Sequence, residues 1–162
     1  MNALLLLAVA LQAGDNPEFP YWKSMKPGST AKYKLEMNQG GQAITGEMVR
    51  TLLEVAADKC VVERKGKMMV GDQTIDVPVE KEDVKAKEEK PEKILKDAFE
   101  EIEVAGKKMK CRYMETEKEE EGGKTFAKVW AHEDVPGGVV RADVKMGDGS
   151  ALKLTILSWE KK

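Results

Sequence analysis

Strict two-residue alternation governs the last third of the chain and limits what it can fold into. Val140, Ala142, Val144 and Met146 interleave with Arg141, Asp143 and Lys145. After a turn at Gly147-Asp148-Gly149, Leu152, Leu154 and Ile156 interleave with Lys153 and Thr155. Successive side chains of a strand point to opposite faces, so this pattern describes an antiparallel hairpin with one apolar face and one wet face. Whatever covers the apolar face decides the architecture.

The same rhythm recurs upstream. Tyr33, Leu35 and Met37 alternate with Lys32, Lys34 and Glu36, and Gly40-Gly41 supplies a hairpin turn. A long strand follows over 42–56, where Met48, Val49, Leu52 and Leu53 touch both faces and predict a bulge. Further strand material lies at 60–64, 68–79, 101–104, 109–113 and 126–131. Two short helices are expected. One spans Tyr21 to Met25 and is closed by Pro27-Gly28. The other begins near Pro91, because Ile94, Leu95, Ala98 and Phe99 share one face at helical spacing. Between them, 80–93 is nearly all Lys, Glu and Asp and reads as a solvated loop or frayed element. About nine or ten antiparallel strands in hairpin order must curl, close or split into layers. The expected fold class is all-β: a strongly curved antiparallel sheet, or open half-barrel, with one or two short helices at its mouth.

With 162 residues, the chain suits one domain with a genuine core, expected over 14–162. Lys+Arg 27 against Asp+Glu 29 leaves no concentrated basic field, so a nucleic-acid partner is not expected. Ala3 to Leu11 is an unbroken apolar stretch, too short to span a bilayer and of a length that suits a secretory signal. It is followed by Gln12-Ala13, with Ala13 the last residue before a cut. The expectation is a signal peptide over 1–13 and a periplasmic or secreted protein. The alternative is a buried N-terminal strand or helix. No other segment reads as a membrane span. Cys60 and Cys111 are the only cysteines, and export would permit one disulfide between them; the alternative is two buried thiols.

Catalytic constellations are sparse. His132, the only histidine, stands beside Glu133 and Asp134 without a nucleophile near it in sequence, and its place before Pro136-Gly137-Gly138 reads as a turn. The carboxylates run together with lysines rather than facing one another across a cleft. No calcium loop, zinc spacing or phosphate-binding glycine pattern is present, so no enzyme, metal or cofactor is expected. Nine methionines are many for this length, and Met37, Met69, Met109 and Met146 fall on apparent inward faces. Methionine fills irregular cores and also lines apolar surfaces that accept varied partners.

The segments 101–111 and 128–140 resemble a recurrent pattern in exported bacterial proteins, and the portion from Trp130 to Val135-Pro136-Gly137-Gly138 is similar to strand-turn-strand segments of the periplasmic half-barrel superfamily that includes LolA and the LppX-like lipid binders. The opening Tyr21-Trp22-Lys23-Ser24-Met25-Lys26-Pro27-Gly28-Ser29 is similar to the start of exported bacterial proteins. The resemblance implies a curved sheet around an apolar face, with helices as a lid. On the sequence reading, Tyr33, Leu35, Met37, Met109, Tyr113, Trp130, Val144, Leu152, Leu154 and Ile156 line that face. They would hold a lipid, an acylated protein segment or another hydrophobic group. The competing expectation is a structural or interaction domain whose interior is fully packed.

Overall fold

The computed structural model describes residues 15–87 and 93–162; the segment expected to be a signal peptide lies outside them. A short helix, α1 (Glu18–Lys23), precedes nine strands. These are β1 (Thr30–Gln39), β2 (Gln42–Val55), β3 (Lys59–Val70), β4 (Gln73–Lys85), β5 (Lys93–Val104), β6 (Lys107–Glu120), β7 (Gly123–Ala131), β8 (Val139–Lys145) and β9 (Ala151–Glu160). All pair antiparallel in one open sheet of order β4-β3-β2-β1-β9-β8-β7-β6-β5. Two meanders, β1–β4 and β5–β9, are therefore stitched together where the first strand meets the last.

Two neighbouring cross-strand rows show how alternation organises the sheet. Ile75, Met68, Gly46, Leu35, Leu154, Ala142, Val129, Met114 and Asp97 stand opposite one another from β4 to β5. One residue away, Asp76, Lys67, Glu47, Lys34, Thr155, Arg141, Trp130, Tyr113 and Ala98 form the adjoining row. Adjacent rows face opposite ways. The first face carries the apolar core; the second is rich in lysine and is called the lysine face below.

Chain geometry forces the sheet to curl. β4 and β5 are its two edges, about 38 Å apart in a flat sheet of eight strand spacings. Only residues 86–92 join them, and a chain of that length spans at most about 29 Å. The curl is visible directly: β5 touches β9, although three strands separate them. The Lys107 ammonium lies 4.8 Å from the centroid of the Trp159 ring. The bulge expected in β2 is present as a register shift between Leu52 and Glu54.

Helix α1 lies against the core face. Glu18 in its first turn and Lys23 in its last match the helix dipole. Phe19 and Trp22 enter a cluster with Met25, Leu52, Cys60, Val62 and Val84. On its other side a crevice of only about 10 Å³ separates the Tyr21 side of α1 from Met114, Val129 and Ala131. A buried ion network fixes the helix to the sheet. Arg50 donates to both carboxylate oxygens of Glu18, at 2.7 and 2.9 Å, and also to Glu82. Arg64 donates to Glu80. Burial opposes the charge on Arg50, but Glu18 and Glu82 outweigh it and raise its pKa.

Three expectations change. The second helix is absent: its residues form β5, with Ile94, Ala98 and Ile102 opposite Thr116, Tyr113 and Met109. Residues four apart share a face in a helix and in a strand alike, so their spacing did not distinguish the two. The acidic run does not begin as a loop. It continues β4 to Lys85 because Glu80 and Glu82 have arginine partners on β3 and β2. The first helix starts three residues earlier than expected.

The turn between β7 and β8 is the dock for α1. A Cβ on Gly137 would lie 2.6 Å from the Trp22 ring, and one on Gly138 would lie 2.5 Å from the Tyr21 ring. Both glycines also hold positive φ, +78° and +79°. Gly138→Ala is therefore expected to cost about 3 kcal/mol, from left-handed strain plus a forced shift of the tyrosine. Gly40→Ala, at φ +59° with nothing within 4 Å, is expected to cost about 1 kcal/mol. Urea denaturation of both variants checks this; equal losses would show that the turn does not dock the helix.

Candidate functional site

The apolar core face is occupied by the protein itself along most of its length. Tyr33, Leu35, Val144, Leu152, Leu154 and Ile156 lie on it and are buried. The Tyr33 hydroxyl donates to the Val139 carbonyl at 2.9 Å, and burial pushes its pKa up. Met37 shares this face at the open end of the strands. There Met37, Ile44, Val144 and Leu152 border a recess of about 340 Å³. Seven of the ten residues expected to line one trough are thus brought together.

The other three join the same buried cluster, but from the opposite row of the sheet. Tyr113 and Trp130 stand in the row of Thr155 and Lys34, on the lysine face, and Met109 joins them by alternation along β6. They are buried because the β5–β6 end of the sheet curls back toward β9. Strands β6 and β7 carry large apolar residues on both sides, Tyr113 beside Met114 and Val129 beside Trp130. Their alternation alone leaves the inward face unassigned.

The larger recess opens on the lysine face. A trough of about 860 Å³ crosses β9 and β1–β4. Val49, Met69, Val79 and Leu157 give it apolar surface, and Lys32, Lys34, Lys65 and Lys67 border it. Leu157 reaches this side through the bulge in β9 opposite Lys32 and Tyr33. Lys32 pairs with Glu47 at 2.8 Å, and Lys67 stands 4.0 Å from Asp76. Long lysine stems can cover apolar surface while their ammonium groups stay wet, and so act as flexible walls. Gly46 and Gly66 also line the trough. A Cβ on either would meet the facing carbonyl oxygen at 2.4 Å, so β2 and β3 cross here more closely than side chains allow.

A second recess of about 440 Å³ lies on the same face, over β5–β8. The Tyr113 and Trp130 rings meet at 4.9 Å, tilted by 42°. Arg141 sits 4.8 Å over Trp130, and Lys96 lies 5.3 Å over Tyr113. Trp130 donates its indole N–H to Glu100, and the Tyr113 hydroxyl donates to Glu115. Burial, then the bond to Glu115, raises the Tyr113 pKa. The sequence reading placed Tyr113 and Trp130 in the binding set but did not include Arg141, Lys96 and Lys128, which the strand pairing brings beside them.

His132 occupies the β7–β8 turn. Its Nδ1 accepts the Asp134 N–H at 3.1 Å, a turn-closing role. Among the described residues no group of three metal-ligating side chains could hold an ion, and no helix is long and apolar enough to cross a membrane. No family model matches the chain, and no curated protein is significantly similar to it.

The cysteines do not pair. Cys60 sits in the α1 cluster and Cys111 in the main core, both as free, buried thiols. Burial raises both pKa values, that of Cys111 from about 9 to about 11, with Glu100 adding to it. A thiol buried in this way is a poor nucleophile. Both cysteines are expected to resist a thiol-specific chromogen in the native state and to titrate fully in denaturant. No titration in denaturant would reveal a disulfide. The raised Cys111 pKa stabilises the fold below about pH 9, and this contribution is lost as pH rises toward about 11.

Proposed function

We propose that this protein is an exported, non-enzymatic binding module that holds the apolar chain of a lipid or similar amphiphile. The trough on the lysine face carries this reading. Its volume of about 860 Å³ lies within the range of small-molecule sites, roughly 300–1,000 Å³. It combines an apolar floor with cationic walls, which suits a molecule with a long chain and a polar end. The core face offers much less room, since Leu154 and Ala142 are wholly buried along it. Each methylene sheltered in the trough contributes about 0.8 kcal/mol, before ordering costs are subtracted. The apolar N-terminal segment Ala3 to Leu11 is what supports export in this reading.

A second reading, an interaction domain, draws on the edge strand β5, where Phe99 is 71% exposed and Leu95 46%. Unpaired edges can add a strand from another chain. The two readings separate experimentally. Leu157→Asp is an exposed substitution that leaves the core intact, and it is expected to weaken binding of a fluorescent fatty acid at least about tenfold. Leu95→Asp is expected to leave that binding unchanged. Fluorescence titration of both variants decides: loss of affinity in Leu95→Asp alone would move binding to the sheet edge.

A further inference from the structure

The two edges of the sheet are not alike. Strand β4 carries Pro78 within a bulge, where Pro78 and Val79 together stand opposite Lys65. Just past its end, Asn16 donates its N–H to the Ala86 carbonyl and Asp15 bridges to Lys87. A proline, a bulge and a covering segment each blunt an edge against further pairing. Strand β5 holds neither proline nor glycine over its 12 residues, and its one bulge, at Leu95, leaves 96–104 regular.

The turn after β5 fixes which main-chain groups that edge leaves unpaired. Val104 and Lys107 flank the two-residue turn Ala105-Gly106, whose φ angles are +50° and +73°. A turn of this type closes on a hydrogen-bonded pair, and bonded and non-bonded positions alternate from there. Even-numbered residues from 96 to 104 therefore bond to β6, while the N–H and C=O groups of Asp97, Phe99, Glu101 and Glu103 point away from it. Charge is sorted along the same edge, with Lys93 and Lys96 at one end and Glu100, Glu101 and Glu103 at the other. Asp97, between them, is held by two Arg112 N–H groups at 2.9 and 2.6 Å.

We propose that β5 pairs with β5 of a second copy of this chain, antiparallel about a two-fold axis at Ala98. Outward groups must meet outward groups, so the axis falls on a residue and not between two. With the axis at Ala98, Lys96 of each copy stands opposite Glu100 of the other, at non-bonded positions where side chains are closest. On its β6 side Lys96 faces Glu115, so it lies between two carboxylates. Asp97 and Phe99 exchange main-chain hydrogen bonds across the interface. Phe99, 71% exposed in the single chain, comes diagonally opposite its own copy, within reach of an aromatic side chain. An axis at Asp97 would set that residue against itself, and one at Phe99 would set Asp97 against Glu101. The interface is isologous and closes at two copies. It is independent of the trough, which is lined from β9 and β1–β4.

Sedimentation equilibrium of the purified protein tests this pairing. The unaltered protein is expected to dimerise with a dissociation constant on the order of 10 μM, as suits an interface at the small end of the range. Phe99→Pro and Glu101→Pro each remove an outward N–H and leave the ladder to β6 intact. Each is expected to weaken the dimer at least about tenfold, and either one serves if the other misfolds. Lys96→Glu and Glu100→Lys are each expected to weaken self-association about tenfold. Their equimolar mixture is expected to restore it, because a mixed pair again sets opposite charges across the interface. A monomer at every concentration, a dimer indifferent to both prolines, or a mixture as weak as either charge variant alone would overturn the proposal. So would open-ended assembly, which would require β4 as the second partner.

Discussion

The pairing of β1 with β9 is the constraint on which the rest of the structure depends. It runs from Thr30 opposite Glu160 to Asn38 opposite Ala151 and joins two meanders that would otherwise be separate sheets. Leu35, Met37 and Tyr33 meet Leu154, Leu152 and Ile156 along it, which places the seam in the middle of the main core. Once the seam exists, β4 and β5 must be the edges. The short link between them then prevents the sheet from lying flat. Curvature follows from connectivity, before any ligand or lid is considered.

Helix α1 holds the curled sheet from inside. It contacts β2–β4 through Phe19 and Trp22, and it faces β6 and β7 through Tyr21. The Arg50–Glu18 pair is almost wholly buried, with side chains 4% and 8% exposed. A buried pair of this kind adds little net stability over an apolar substitute, but breaking it leaves an unpaired charge at a cost of about 3–5 kcal/mol. Its effect is to specify one seat for the helix. Together with the β7–β8 turn, it fills the core face and leaves the lysine face open to solvent. The open trough is thus a consequence of how the core is closed.

Much of this was legible in the sequence, for identifiable reasons. The last two strands alternate cleanly from Val140 to Ile156, so their inward face could be read directly, whereas the bulge at Leu157 could not. The aromatic opening and the Val-Pro-Gly-Gly turn stood out as motifs, but nothing local showed that Tyr21 and Trp22 rest on Gly138 and Gly137. Strand β5 was hidden because residues four apart share a face in a helix and in an unbroken strand alike, and the bulge that puts Ile94 and Ala98 on opposite faces left no local mark. The acidic run around Glu80 and Glu82 looked solvated because its arginines sit 16 and 32 residues away. The candidate site suffered most from this. Trp130 and Tyr113 were picked out as large aromatics, but their face was fixed only by pairing to Arg141 and Thr155. The trough itself is walled by lysines, which a hydropathy reading assigns to solvent.

The central claim is that an apolar ligand lies on the lysine face and outside the packed core. Isotope-filtered nuclear Overhauser spectra with a labelled acyl chain test it most directly. The account predicts contacts from the chain to the methyl groups of Val49, Val79 and Leu157. Contacts to Val144, Leu152 and Ile44 instead would place the ligand in the core-face recess and contradict it.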